Sequence, residues 1–180
     1  MYKRQTKNYK LANDLDMEGL AGKVIGKYNN GASGEKAFTG IFDGDGHTIR
    51  NLSIAGEALF SYVGTDGIVR NLTLGHAAVE FTGNDSNGAP AALVSNNKGI
   101  IEKCFSIQSS VVSKYNNRVG GLVGNNEGTI RQCGVSGGSV MYQNTGMMTG
   151  GLVGRNTGSV SESFSSASVS GCLLYTSRCV

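Results

Sequence analysis

The chain has 180 residues, of which 28 are glycine, one is proline and none is tryptophan. Charged residues make up 16%, against about a quarter in average domains, and alternating runs of Val, Ile and Leu argue against a disordered chain. The net charge of +3 comes from Lys3, Arg4 and Arg178 near the ends, because without them 13 basic residues (16 less 3) face 13 acidic ones. This balance removes the electrostatic argument for binding nucleic acid.

Both ends of the chain are expected to be translated adapter rather than native protein. Residues 1–5 and 172–180 resemble the translation of one sequencing-library oligonucleotide and of its reverse complement, and such segments are excluded from fold analysis. We therefore predict that native sequence runs from Thr6 to Gly171, as a fragment of a longer protein. Two of the four cysteines lie in that range, too few for a disulfide framework.

Residues 6–56 are interpreted as the opening coils of a repeat structure. An alternating segment at 9–17 precedes Val24-Ile25-Gly26 and the run from Phe38 to Ile49. Alternation of this kind is typical of short strands buried on one face. A polar, mobile loop is expected over residues 27–36.

Residues 57–171 contain a segment that recurs along the chain. Its copies begin at Leu59, Leu93, Leu122 and Leu152, at spacings of 34, 29 and 30 residues. Two positions after a glycine shared by these copies stand Val69, Ile101, Ile130 and Val160. Gly46 and Ile49 are assigned the corresponding places in the opening coils. Self-similarity at a fixed period is the signature of stacked repeats.

These patterns predict an all-β fold, a parallel β-helix (β-solenoid) of about five coils with protruding loops on one side. Each coil is expected to hold two or three short strands, with equivalent aliphatic residues in one inner column and coils about 4.8 Å apart. Helical periodicity is missing. Leucine-rich and calcium-binding nonapeptide repeats are the rival folds, but their spacings, Leu-x-x-Leu-x-Leu and Gly-Gly-x-Gly-x-Asp, do not occur in the sequence.

The pattern Gly-Gly-Leu-Val-Gly-x-Asn-x-Gly at residues 120–128 and 150–158 resembles the GLUG motif. Residues 38–54 are similar to the segment that commonly precedes that motif. In the copy before these two, motif glycines are replaced by Ala91, Ala92 and Ser95. The resemblance covers nearly all of residues 9–171. It implies an extracellular repeat region of a bacterial surface protein, similar to the non-catalytic region of IgA-specific metallopeptidases.

The leading functional hypothesis is a non-catalytic structural or interaction module, an adhesin stalk or spacer that is secreted or displayed on the cell surface. Two alternatives stay open: an accessory repeat region of a secreted peptidase, and a polysaccharide-active β-helix. Enzymes that cleave polysaccharides need clustered carboxylates, whereas Glu102, Glu127 and Glu162 lie at non-equivalent repeat positions. The expected partner is a glycan or protein on a host or cell surface. No cofactor, metal, nucleic-acid partner or membrane insertion is expected for this segment.

Three sets of residues could carry chemistry. Residues 43–47 (Asp-Gly-Asp-Gly-His) resemble the start of a calcium loop, but the twelfth position is Ile54 rather than glutamate, so a solenoid turn is favoured. Cys104 and Cys133 occupy equivalent positions, and buried free thiols are favoured over a disulfide between stacked coils. An inward asparagine ladder that caps turn amides is expected at Asn97, Asn126 and Asn156.

Ligand contacts are expected on the variable segments between copies, residues 76–90, 109–119 and 137–149. Insertions that leave successive coils at one point gather on one face, and tyrosine beside amide side chains suits adaptable contacts. Ordinary loop filler is the alternative. The candidate contact residues are Tyr115, Asn116, Asn117, Arg118, Tyr142, Gln143 and Asn144.

Overall fold

The computed structural model of the chain describes residues 6–20, 22–26, 37–83, 88–114, 118–143 and 148–171. Every regular element in these ranges is a β-strand. In chain order the strands are β1 (Tyr9–Lys10), β2 (Leu15–Asp16), β3 (Ile41–Asp43), β4 (Thr48–Arg50), β5 (Ser53–Ala55), β6 (Phe60–Val63), β7 (Ile68–Arg70), β8 (Thr73–Gly75), β9 (Ala78–Phe81), β10 (Val94–Asn97), β11 (Ile100–Glu102), β12 (Phe105–Ile107), β13 (Ser110–Ser113), β14 (Arg118–Gly120), β15 (Val123–Asn126), β16 (Thr129–Arg131), β17 (Gly134–Ser136), β18 (Ser139–Tyr142), β19 (Met148–Gly150), β20 (Val153–Asn156), β21 (Ser159–Ser161), β22 (Phe164–Ser165) and β23 (Ser168–Gly171). The adapter segments and the loop predicted at 27–36 lie outside the described residues.

Equivalent strands of successive coils pair in parallel and form four sheets that run along the solenoid. In the order in which one coil visits them, the first sheet is β6-β10-β15-β20, the second β1-β3-β7-β11-β16-β21, the third β2-β4-β8-β12-β17-β22 and the fourth β5-β9-β13-β18-β23. This arrangement confirms the predicted parallel β-solenoid of about five coils. A complete coil contributes four strands to these sheets, rather than the two or three expected.

The predicted inner column is present in the second sheet. Val69 pairs with Ile101, Ile101 with Ile130, and Ile130 with Val160, each in parallel register. The first three side chains are fully buried, whereas Val160 is 39% exposed. Val160 lies in the last described coil, which has a neighbour on one side only.

The opening coil has a different alignment from the predicted one. Phe42, not Ile49, is in register with Val69, and Ile49 instead faces Leu74 in the third sheet. The cause is a longer corner, because residues 44–47 join β3 to β4 where two residues join β7 to β8. Gly40 consequently takes the shared glycine position, and its carbonyl accepts the Ile68 N–H at 2.9 Å.

Most corners on either side of the third sheet are turned by residues in the left-handed conformation. Between the second and third sheets of the four later coils these are Asn71, Lys103, Gln132 and Glu162, with φ between 48° and 54°. Between the third and fourth sheets they are Asn51, His76, Gln108 and the pair Gly137 and Gly138. The left-handed conformation costs roughly 1–2 kcal/mol for a residue with a Cβ, so the coil-to-coil ladders must stabilise these corners.

Short strap segments cross the outer face of the first sheet, just before each coil begins. The strap segments are Glu57, residues 88–91, β14 and β19. They extend one another, since Ala91 N–H donates to the Glu57 carbonyl at 2.8 Å and Gly120 N–H donates to the Pro90 carbonyl at 3.1 Å, and β14 pairs with β19. The strands β6, β10 and β15 are therefore buried on both faces.

Each strap segment covers the first-sheet strand one coil beyond the coil that it leads into, and this explains the last glycine of Gly-Gly-Leu-Val-Gly. A Cβ at Gly124 would overlap the carbonyl oxygen of Ala89, and a Cβ at Gly154 would lie 2.8 Å from the Val119 nitrogen. At the equivalent position of the preceding coil, the Ser95 hydroxyl donates to the Glu57 carboxylate at 2.9 Å. A side chain is therefore tolerated at this position only where the strap offers a side chain rather than backbone.

Candidate functional site

The acidic segment at residues 43–47 forms a turn, as predicted. Asp45 and Gly46 have φ of 53° and 82°, and His47 N–H donates to the Gly44 carbonyl at 2.8 Å. The Asp43 carboxylate accepts hydrogen bonds from Arg70 Nε at 2.8 Å, from Asn71 Nδ2 at 3.0 Å and from the Asp45 amide at 2.9 Å. These contacts hold the longer corner against the next coil.

The hydrogen bonds to Asp43 also determine its charge state. Burial alone would raise the pKa of Asp43, but the bonds from Asn71, the Asp45 amide and Arg70 outweigh it, so the pKa lies below its ordinary value.

His47 Nδ1 lies 3.2 Å from Asp14 Oδ1. Within the described ranges, no three His, Cys, Asp or Glu side chains are grouped closely enough to hold a metal ion.

The asparagine ladder is confirmed. Asn97 Nδ2 donates to Asn126 Oδ1 at 2.7 Å, and Asn126 Nδ2 donates to Asn156 Oδ1 at 2.7 Å. The Oδ1 atoms of Asn97 and Asn126 also accept from the turn that follows, from Gly99 N–H at 3.1 Å and from Gly128 N–H at 3.3 Å. The motif asparagine therefore joins neighbouring coils and satisfies a buried turn amide at once.

Cys104 and Cys133 are buried free thiols, as expected. Each Sγ lies near the carbonyl oxygen two residues earlier, at 3.3 Å for Cys104 and 3.2 Å for Cys133. Burial raises the pKa of the Cys104 thiol well above its ordinary value. A protonated, buried thiol such as that of Cys104 is a poor nucleophile, and the burial of both side chains gives the pair a packing role.

Parts of the variable segments belong to the solenoid itself. Each contains a strand of the fourth sheet (β9, β13 or β18), and each ends on a strap segment. Between these elements are residues 82–87, 114–117 and 143–147, of which 84–87, 115–117 and 144–147 lie outside the described residues. The candidate contacts Tyr115, Asn116, Asn117 and Asn144 belong to those ranges, so their role stays a prediction.

The remaining three contact candidates occupy different environments. Tyr142 ends β18, is 4% exposed and packs in the core, and burial raises the pKa of its hydroxyl. Arg118 opens the strap β14, and its Nε is buried without a hydrogen-bond partner among the described residues. Gln143 is exposed, and its N–H donates to the Ser113 carbonyl at 2.9 Å. Of these three residues, Gln143 alone is exposed in the structure.

A surface feature that the sequence analysis missed lies on the outer face of the second sheet. One register position carries charges of alternating sign in successive strands, and we name these residues the charge ladder: Lys10, Asp43, Arg70, Glu102 and Arg131. Arg70 pairs with Asp43 at 2.8 Å, and Arg131 Nε donates to Glu102 at 2.8 Å. The sequence did contain a signal for the charge ladder, because Arg70, Glu102 and Arg131 each stand three positions after the shared glycine.

An aliphatic row runs beside the charge ladder. Two residues before each ladder position, on the same outer face, stand Ile41, Ile68 and Ile100, which we name the isoleucine row, followed by Thr129. All three isoleucines are half-buried. Asn8, Tyr9, Lys10, Ile41, Asp43 and Arg70 line a shallow cavity of about 250 Å³ at the start of this face. Apolar and charged groups therefore share one flat surface.

Residues 115–141 match the GLUG motif. This part of the chain is a GLUG repeat. The match begins before the strap β14, passes through the coil strands β15 to β17 and ends within β18. A GLUG repeat in this chain is thus one strap segment followed by one coil.

Two known proteins are similar to this chain. Halomucin of Haloquadratum walsbyi is 33% identical over 129 residues, which is 64% of this chain and 1% of Halomucin. A crystal structure of a Bacteroides ovatus protein provisionally assigned as an immunoglobulin A1 protease superposes with a TM-score of 0.54 and 19% identity, over 94% of this chain and 62% of that one. This second likeness shows the fold alone, and the chain spans less than two thirds of either relative. Across the described ranges, no helix has the length and apolarity needed to cross a bilayer.

Proposed function

We propose that this chain is a stiff, non-catalytic spacer module of a secreted or cell-surface protein. The observation that carries the proposal is the unbroken inner column of the second sheet, in which strands from β1 to β21 pair in one continuous ladder. Each added coil lengthens such a solenoid by about 4.8 Å and buries its apolar side chains on its neighbours. A module of this kind can be extended by repetition without a new core.

Two further features support a mechanical role. The asparagine ladder joins three successive coils through side chains, and the strap segments join one another through backbone, in addition to the sheet hydrogen bonds. The likeness to Halomucin occupies 1% of that protein, which suits one unit within a very long repetitive chain. An extracellular location is part of the same proposal, and it is supported by the likeness to Halomucin and to the protein assigned as an immunoglobulin A1 protease.

The accessory region of a secreted peptidase is the second candidate function. The structural likeness to the Bacteroides ovatus protein favours it. In that case the solenoid would position a catalytic domain elsewhere in the protein, and its own coils would still act as a spacer. The two candidates differ in what the spacer carries, not in what these residues do.

Single-molecule force spectroscopy tests the spacer proposal. With the chain tethered at its two ends, coils should detach one at a time, each releasing about 100 Å of contour length because 29 or 30 residues extend by roughly 3.4 Å each. Smooth extension at low force, without discrete steps, would contradict the proposal. Release of peptides from IgA1, or of sugars from polysaccharides, by the purified chain would favour a catalytic function instead.

A further inference from the structure

We propose that a second copy of this chain docks on the outer face of the second sheet, with the two copies related by a two-fold axis. This inference does not depend on the spacer role. It rests on the order of charges in the charge ladder and on the isoleucine row beside it.

The charge ladder is self-complementary when it is reversed. Its signs along the solenoid are plus, minus, plus, minus, plus, from Lys10 to Arg131. A two-fold axis parallel to the strands, midway between β7 and β11, reverses the order of the coils and keeps each position along the strand. Arg70 then faces Glu102 of the second copy, and Asp43 faces Arg131. Both contacts join opposite charges, while Lys10 faces the uncharged Ser161, which continues the register after Arg131.

The same rotation matches the neighbouring positions. Ile68 faces Ile100 of the second copy, so the centre of the contact is aliphatic and its charged pairs lie to one side. The exposed residues Asp66 and Lys98 lie in the turns that lead into β7 and β11. The rotation places Asp66 opposite Lys98 of the second copy, which adds a further pair of opposite charges. An apolar centre with charged pairs beside it is the usual composition of a protein interface.

The charges favour a second copy over other partners. A nucleic acid or an acidic glycan presents one sign of charge and would meet two carboxylates as well as three cations on this ladder. A complementary partner must alternate in sign at the spacing of β-strands and in the opposite order. The chain itself has this property. The side chains of Arg70 and Arg131 are 39% and 53% exposed, and each guanidinium has five donors, so both can bind a second carboxylate.

Sedimentation of the full chain measures this association, with a reducing agent present so that its four cysteines do not link copies. We expect a reversible dimer whose dissociation constant rises with salt, because exposed ion pairs are screened. Ile68→Thr should weaken the dimer roughly tenfold or more through lost apolar burial at the centre. Ile107→Thr, at a residue 40% exposed on the third sheet, is the matched control and should leave the dimer unchanged.

A charge-inverted variant identifies the interface. Asp43→Arg, Arg70→Glu, Glu102→Arg and Arg131→Glu together keep alternating signs from β3 to β16 within each chain. The inverted chain should pair with itself but not with the wild type, because mixed dimers would place like charges together. Wild-type chain that stays monomeric at all concentrations, free mixing of the two forms, or equal effects of the two isoleucine variants would each overturn the proposal. The isoleucine variants decide the question if the inverted chain does not fold.

Discussion

Replacing Gly124 by alanine tests whether the strap segments fix the glycine positions of the GLUG repeat. A Cβ at this residue would overlap the carbonyl oxygen of Ala89 and lie 2.5 Å from its carbonyl carbon. Both atoms are backbone, so no change of rotamer relieves the overlap and the strap itself must move. Overpacking typically lowers the free energy of unfolding by about 1–3 kcal/mol. Because backbone must move here, we expect a loss of about 3 kcal/mol for Gly124→Ala, at the upper end of that range.

Thermal unfolding followed by circular dichroism measures this loss. For a chain of this size each kcal/mol lowers Tm by about 2–4 °C, so Gly124→Ala should lower Tm by about 6–12 °C. Gly75→Ala is the matched control, because Gly75 is also a buried strand glycine and its Cβ would meet nothing nearer than Arg50 Cγ at 3.5 Å. The control should stay within about 0.5 kcal/mol of the wild type. Equal Tm values for the two variants would refute the strap explanation.

Three further predictions concern the asparagines, an aspartate and the thiols. Asn126→Ala should lower the free energy of unfolding, measured in urea, by roughly 2–3 kcal/mol, because it leaves buried partners unpaired on both sides. Asn156→Ala, at the end of the described ladder, should lower it less. Equal losses for the two variants would argue against the ladder. Because the folded pKa of Asp43 is lowered, its stabilising effect is present above the ordinary value of 3.8 and disappears as the pH falls through the folded pKa. The difference in Tm between wild type and Asp43→Asn should therefore shrink in acid, and a constant difference would contradict this. With the two cysteines after Gly171 replaced by serine, a thiol reagent should label Cys104 and Cys133 only after denaturation, and rapid labelling of the native chain would show that they are accessible.

The stacking of coils could be predicted because its signal is periodic. Val69, Ile101, Ile130 and Val160 occupy one place in every copy, and a parallel ladder requires that identity. The asparagine ladder was predictable for the same reason. Both inferences depend on comparing copies within the chain. Such a comparison aligns equivalent residues correctly wherever the copies have equal length.

The number of strands per coil could not be predicted, because several corners lack turn residues. Lys103, Gln132 and Glu162 adopt left-handed φ, yet none of these residue types signals a turn. Their conformation is imposed by neighbouring coils rather than by local preference. The opening coil was misaligned for a related reason, since the glycines at residues 44–46 resemble the shared glycine but belong to a longer corner.

The candidate site was predicted least well, because exposure depends on packing that spans coils. Tyr142 has the sequence neighbours of a contact residue, but its register partners in the fourth sheet are Ser113 and, one coil further, Phe81, which is also buried. Alignment with Phe81 was the signal that could have placed it in the core. The charge ladder was missed because residues of opposite sign do not look equivalent until the strands are aligned.

The offset between strap and coil has a consequence for how such chains diversify. The segment at residues 88–91 belongs by sequence to one repeat but packs against Gly124 of the next. When a single repeat is duplicated or exchanged, its strap therefore meets the glycine position of a new neighbour. Recombination that joins unrelated repeats would then succeed mainly where the incoming unit has glycine at this place. The motif glycine would act as a compatibility requirement between neighbours, and its spread through an array would make later shuffling easier.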